Sequence, residues 1–480
     1  MIRARVLLPL LLSMIAGNLF TQESDTLRKG IHQEESEYYS TFYHEDDFAD
    51  TKGSSFPSDL NITTAKSLSA KVLGWHPYWA ASSAYLNYDY NALSHIAYFS
   101  YEVDTATGGY STIRGWNTTS IIDYAHQKGT KVLLTVTNFG SARNTELLSD
   151  TIKQIHLLNT LIPLLTSRNG DGVNFDLETV SVSQRNNLVD FMQRAVTMIK
   201  GELPEAEISM ATPPVDWSGS WDLKKLSEIC DYLIVMGYNY YYGGSSTAGP
   251  VAPLAGENYN ITRTVNTYLT AGVAPEKLLL GLPWYGYDWP VTGASRKSST
   301  TGTGTSKVYS SAETLAAQHS KTFDELTSSA WVSYTSASLW RQLWYDDNES
   351  LTLKYDFAAS KNLAGIGIWA LSYEGTYNEI WSGIHDVYST EVAEETTIIR
   401  IFPNPVYGTA KIDFSLSERE KVTLKILDIN GREIITLTDG ERDAGFYTEE
   451  FNSALLKGGI YICTLKTNNK VSSRKIVIIK

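Results

Sequence analysis

The chain has 480 residues, 42% hydrophobic and 19% charged, a globular balance long enough for two or three domains. Its formal net charge is −13 and no block of Lys or Arg stands out, which argues against nucleic acid as a partner, because phosphate neutralisation needs clustered cations. Cys230 and Cys463 fall in different predicted domains, so a disulfide between them is not favoured.

Arg3 and Arg5, the apolar run 6–15 and the small residues Ala16 and Gly17 read as an export signal over 1–21. The apolar run is too short to span a bilayer comfortably and no other segment is long enough, so no membrane span is expected in the mature protein. Residues 22–70 are polar and acidic, with Glu34, Glu35, Glu37, Glu45, Asp46, Asp47 and Asp50 prominent, and read as a flexible lead-in.

From Val72 the pattern changes. Eight short apolar runs, at 72–75, 95–98, 131–137, 172–177, 208–211, 232–236, 278–282 and 365–371, are rich in Val, Ile or Leu and nearly continuous. Such runs read as strands buried on both faces of a parallel sheet. Amphipathic stretches lie between several of them; in 187–200, Leu188, Phe191, Met192 and Ala195 share one side. Repeated strand–helix alternation predicts an α/β fold, a (β/α)8 TIM barrel over 71–388. A doubly wound open sheet is the alternative, lowered by the lack of a Gly-rich phosphate loop after the first run. The link between the last two runs is long, and over about 288–345 it predicts a small α+β insertion, with a helix near 310–321 and paired strands at 331–334 and 339–344.

A charged linker is expected over 389–396. Beyond it the period drops to two, with Ile412, Phe414 and Leu416 alternating, then Val422, Leu424 and Ile426. Asn430-Gly431 between two such runs is a hairpin signal. Residues 397–480 therefore predict a separate all-β, sandwich-like domain.

The segment most informative about chemistry is Asp171, Gly172, Val173, Asn174, Phe175, Asp176, Leu177, Glu178. Side chains of a strand alternate faces, so Val173, Phe175 and Leu177 pack on barrel helices while Asn174, Asp176 and Glu178 point inward. Three polar residues facing a barrel interior are costly unless they serve a site or satisfy one another. Glu178 comes last, at the C-terminal mouth where barrel enzymes work. A carboxyl beside a second carboxylate in a partly dry cleft should hold its proton to higher pH, as a general acid requires. The bland alternative is a buried polar cluster that sets strand register.

Asp171–Glu178 resembles the DGxDxDxE signature of glycoside hydrolase family 18, the chitinase family. Other segments fall in the family's order: 72–79 resembles its first strand, Met236, Gly237, Tyr238 and Asn239 its MxYD segment, 280–286 its seventh strand and 365–371 its eighth. The resemblance implies that Glu178 protonates the glycosidic oxygen while the substrate's own acetamido oxygen attacks the anomeric carbon. Asp176 would hold the acetamide and stabilise the oxazolinium, Tyr238 would hydrogen-bond the same group, and Trp369 would floor the sugar. Asn174, Met236, Asn239, Trp75, Tyr98 and Tyr285 would complete the substrate site, with no metal and no cofactor. The substrate implied is an N-acetylglucosamine-containing glycan. Asn174 and Asn239 stand where chitinases commonly carry Asp. Asn174, and the run Thr135, Val136, Thr137, Asn138, look more like a branch acting on bacterial cell walls. The Asn174 amide is expected to donate a hydrogen bond to Asp176. Chitin-type chains and peptidoglycan both remain open as substrates, as do an endoglycosidase on N-linked glycans and a barrel that binds glycans without cutting them.

In the C-terminal region, Phe402, Pro403, Asn404 and Pro405, then 427–432, then Gly459, Ile460 and Tyr461, resemble the sorting domain of type IX secretion. That resemblance implies a type IX secretion partner and a secreted or surface location. A carbohydrate-binding β-sandwich is the alternative; no exposed aromatic row is evident to support it.

Overall fold

Eight parallel strands close on themselves in the computed structural model, which describes residues 29–43, 68–389, 397–416, 419–443, 445–467 and 470–479. They are β1 (Lys71–Pro77), β2 (His95–Val103), β3 (Lys131–Phe139), β4 (Gly172–Glu178), β5 (Glu207–Thr212), β6 (Tyr232–Met236), β7 (Leu278–Pro283) and β8 (Gly365–Trp369). Each pairs with its sequence neighbours, and β8 returns to β1, where Leu73 faces Gly367 on one side and His95 on the other. The predicted barrel is therefore the fold, at the eight runs expected. The export signal and linker residues 390–396 lie outside the described residues.

Helices follow seven of the strands, and a short 3-10 turn at Ala84–Asn87 follows β1. Polar caps mark several starts: Asp150 accepts from the amides of Ile152 and Lys153, and Asp222, Asn260 and Asp347 cap likewise. The helix Arg185–Glu202 buries Leu188, Phe191, Met192, Ala195 and Ile199 along one stripe. Phe191 meets Phe175 of β4 edge-on at 5.4 Å, so the odd positions of that strand do face the helices. Truncating a side chain buried this way costs about 3–5 kcal/mol for a Phe.

The interior is filled in layers. At the bottom, Glu207 takes Lys71 at 3.0 Å, Lys131 at 2.5 Å and His95 at 3.2 Å. One layer up, Trp75 Nε1 donates to Asn174 Oδ1 at 2.9 Å, and Asn174 Nδ2 donates to Ser209 Oγ at 3.0 Å. A side chain at Gly367 would meet Ile234 at 2.9 Å and the Trp75 ring at 3.2 Å, so the glycine is what admits that indole.

Between β7 and β8 a five-stranded antiparallel sheet and the helix Tyr309–Ala317 form the expected insertion, with Ser329–Ser336 and Leu339–Tyr345 paired. The C-terminal region has its own core in two antiparallel sheets of three and four strands, with Ile412, Phe414, Val422, Leu424 and Ile426 buried. The Asn430-Gly431 turn forms as expected: the Gly431 amide donates to the Asp428 carbonyl at 2.9 Å, and Gly431 has φ +79°. Cys230 and Cys463 are both buried and free. Among the described residues no helix is long and apolar enough to cross a membrane.

One expectation is overturned. Part of the acidic lead-in, Ile31–Tyr39, is an α-helix, α1, lying across the C-terminal mouth of the barrel. Its buried positions are Ile31, His32, Glu35 and Ser36, a mainly polar face without the apolar stripe that marks most packed helices.

Candidate active site

Strand β4 ends at the mouth with Asp176 and Glu178, both buried and both pointing inward as the alternation requires. The Glu178 carbonyl is pinned by the Gly140 amide at 3.1 Å and by Asn144 Nδ2 at 2.5 Å, and Asn138 in turn donates to Asn144 Oδ1. Burial pushes the Glu178 carboxyl well above the ordinary carboxylate range, and the charges of Asp176 and Glu34 push it the same way. A carboxyl in that state can give a proton near neutral pH. Tyr238, just past the end of β6, is also buried, and its hydroxyl too is pushed upward by burial and the nearby carboxylates.

His32 of α1 joins these groups. Its Nδ1 lies 2.7 Å from Asp176 Oδ2 and its Nε2 lies 2.8 Å from the Tyr238 hydroxyl. An ionised carboxylate can only accept, so with Asp176 charged the Nδ1 bond runs from the ring N–H to the carboxylate. The ring stacks on Trp369 at 3.6 Å between centroids, while Trp75 and Phe99 meet it edge-on at 5.3 and 5.9 Å. Glu35, one turn on, accepts from Trp369 Nε1 at 2.9 Å and Tyr373 Oη at 2.6 Å. Beside α1 a cavity of about 330 Å³ remains, bordered by Glu178, Val180, Trp217, Trp221, Met236, Tyr238 and Asn239.

The residues singled out in the sequence are mostly brought together. Glu178, Asp176, Tyr238 and Trp369 converge on one point, Met236 and Asn239 line the cavity, and the Tyr285 hydroxyl donates to Asn239 Oδ1 at 2.5 Å. Trp75 lies under the floor. Two expectations are corrected. Asn174 is one layer too deep, with its amide spent on Ser209 and not on Asp176, because the Trp75 indole fills the barrel at that height. Tyr98 points into the helix layer, where its hydroxyl donates to the Arg114 carbonyl and its ring meets Trp116; on β2 the inward positions run from His95 through Ala97 to Phe99, and Phe99 is the residue at the mouth. Sequence reasoning missed Phe99, Trp79 and Tyr373. Counting by twos from His95 would have found the first.

His32, Asp176 and Glu178 also place ligand atoms within 4.8 Å of one another, a spacing that suits a metal ion. The direct His32–Asp176 hydrogen bond uses the atoms that would have to turn toward it.

The family model for glycosyl hydrolases family 18 matches residues 72–374, and that for a secretion system C-terminal sorting domain, of the type IX kind, matches 400–479. YdhD of Bacillus subtilis (strain 168), whose name describes a sporulation-specific glycosylase, is 25% identical over 269 residues, covering 53% of this chain and 61% of its own length. The chain thus spans about three-fifths of that relative. Di-N-acetylchitobiase of Rattus norvegicus is 26% identical over 296 residues, 54% of this chain and 78% of the relative. A GH18 chitinase from Cycas revoluta, solved in complex with (GlcNAc)3, superposes with a TM-score of 0.61 at 19% identity, over 66% of this chain and 99% of its own, a likeness of fold. A family match running from the first barrel strand to just past the last, on a barrel that closes as that family's does, makes this chain a member of glycosyl hydrolase family 18, a glycosidase whose sorting domain directs it out of the cell or onto its surface.

Proposed function

We propose that the protein cleaves β-1,4 linkages in N-acetylglucosamine-containing glycans, chitin-type or peptidoglycan, by a retaining, substrate-assisted mechanism. The observation that carries the reading is the convergence of Asp176 and Tyr238 on one small planar group above Trp369, with the Glu178 carboxyl alongside. An acetamido group has that size and shape.

In this reading the Glu178 proton passes to the glycosidic oxygen as the C1–O bond breaks. The acetamido oxygen closes on C1 from the opposite face, and the positive charge spreads over the resulting oxazolinium. Asp176 faces that charge, and the Tyr238 hydroxyl donates to the acetamide oxygen and fixes its approach. Glu178, now a carboxylate, takes a proton from water as the water opens the ring at C1, and the product keeps its configuration. A barrel that only bound glycans would have no use for a carboxyl held protonated beside the bond.

The test is incubation with chitooligosaccharides, peptidoglycan and a high-mannose glycoprotein, with products identified by mass spectrometry and the first-formed anomer by NMR. Because α1 covers the mouth, the assay is run on the natural chain and on one carrying Gly30→Leu, whose side chain would crowd the Glu178 carboxyl. Cleavage of an N-acetylglucosaminide with a β-anomer formed first supports the reading. An inverted anomer overturns the mechanism, and no cleavage by either chain overturns the activity.

A further inference from the structure

The segment 29–43 holds the barrel mouth largely through polar contacts, beside the buried Ile31. At Gly30 an added Cβ would stand 1.8 Å from Glu178 Oε2, so bare backbone packs on the carboxyl. His32 spans Asp176 and Tyr238, and Glu35 spans Trp369 and Tyr373. The Ser36 carbonyl accepts from the Tyr78 hydroxyl at 3.2 Å, and Tyr39 stacks on Trp79 at 4.8 Å and 10°. Past the helix, the Tyr43 carbonyl accepts from Arg114 at 2.9 Å. Positions 32, 35, 36, 39 and 43 lie on one side at helical spacing.

A helix that merely covered a barrel end would present Leu, Ile or Phe to it. This one presents His and Glu, and burying such groups is costly unless each finds a partner. Each does, and the partners of His32 are residues to which the proposed mechanism assigns the substrate. The imidazole is a flat ring on the Trp369 floor with one edge toward Asp176 and the other toward Tyr238, the arrangement an acetamido sugar would adopt.

We propose that residues 29–43 are a built-in competitive inhibitor of this glycosidase: with α1 docked the chain is latent, and substrate enters only when α1 leaves. The inference rests on the reading of Asp176, Tyr238 and Glu178 as the sugar site. His32 is the substrate mimic, Glu35 the second anchor, and Gly30 the point of closest approach to the acid.

The test compares three full-length chains, natural, Gly30→Leu and His32→Ala, for turnover of chitotetraose and for amide hydrogen exchange across 31–39 in the same samples. Two variants are used because a shift of Glu178 could accommodate the bulk that Gly30→Leu adds, whereas His32→Ala removes contacts without adding any. Loss of protection is expected in both variants, with kcat/KM raised roughly tenfold or more, since apparent affinity scales with the fraction of open sites. A synthetic 29–43 peptide should then inhibit the variants competitively. Protection lost with turnover unchanged in all three chains overturns the inhibitor and leaves the glycosidase reading standing. If no chain cuts or binds chitotetraose, that reading fails instead, and binding of the peptide then decides: a peptide that binds neither variant overturns the docking as well.

Discussion

His32 and Trp369, 337 residues apart in sequence, lie face to face with ring centroids 3.6 Å apart and planes at 26°. The contact joins a segment ahead of the barrel to the last strand of the barrel, at the one place where Asp176, Glu178 and Tyr238 also meet. Several outcomes depend on it.

Replacing Glu178 by Gln should stop turnover and spare binding. The change removes the proton and keeps the shape. In the Gly30→Leu background, kcat on chitotetraose should fall ~100-fold or more, while the Kd measured by calorimetry stays within a few-fold. Near-undiminished turnover would remove Glu178 from the role of acid.

Docking of α1 should weaken as pH rises through about 7. Burial pushes the Glu35 carboxyl from 4.5 up to about 7, against the lowering effect of its hydrogen bonds from Tyr373 and Trp369, and Glu34 adds to the rise. A group whose pKa is higher docked than free stabilises docking fully below the free value, and that contribution is lost as pH climbs through the docked one. Glu178, also pushed upward, acts in the same direction; Tyr39, Tyr238, Tyr285 and Tyr373 face Glu35 and stay neutral across this range. Exchange protection at 31–39 should therefore be higher at pH 5 than at pH 8.5. Glu35→Gln should reduce that difference, leaving the part due to Glu178, and a difference unaffected by the substitution would dissociate Glu35 from it.

Asn174→Asp should move the basic limb of the kcat/KM profile upward. A carboxylate two residues before Asp176 on the same face adds negative charge near Glu178 and makes its proton harder to lose. The Ser209 hydroxyl that now accepts from the Asn174 amide can rotate to donate to the new carboxylate, so the layer keeps a hydrogen bond. A basic limb that stays put or moves downward in a folded variant would show that residue 174 is too deep to couple.

Removing 397–480 should leave glycosidase activity unchanged in vitro and stop export from the native host. The barrel core and the C-terminal core share no buried residue. Loss of activity in a truncated chain that keeps its circular dichroism spectrum would tie the sorting domain to catalysis.

The barrel was legible because its strands are buried on both faces, and continuous Val, Ile and Leu runs have few other uses in a soluble chain. Asp176 and Glu178 were legible because polar residues alternating into a barrel interior need a reason. Tyr98 was misassigned for want of a register, which the inward His95 supplies. Asn174 was placed too high because its neighbour in space, Trp75, is 99 residues away in sequence and reaches it only through the gap at Gly367. The docked helix was invisible for a different reason. Periodicity detects apolar stripes, and the buried face of α1 is made largely of His32, Glu35 and Ser36, which look like a solvated surface until their partners on the barrel are known.

The position of α1 on the same chain as its binding site also sets how it can be dismissed. A short covalent tether holds its end at an effective concentration in the millimolar range, so contacts that would leave separate molecules only partly bound keep the mouth filled. One break in the backbone between Tyr43 and Leu68 would abolish that advantage while leaving the contacts of residues 29–43 as they are. The freed peptide would drift into the surrounding volume, and the dilution that follows secretion would make its departure irreversible.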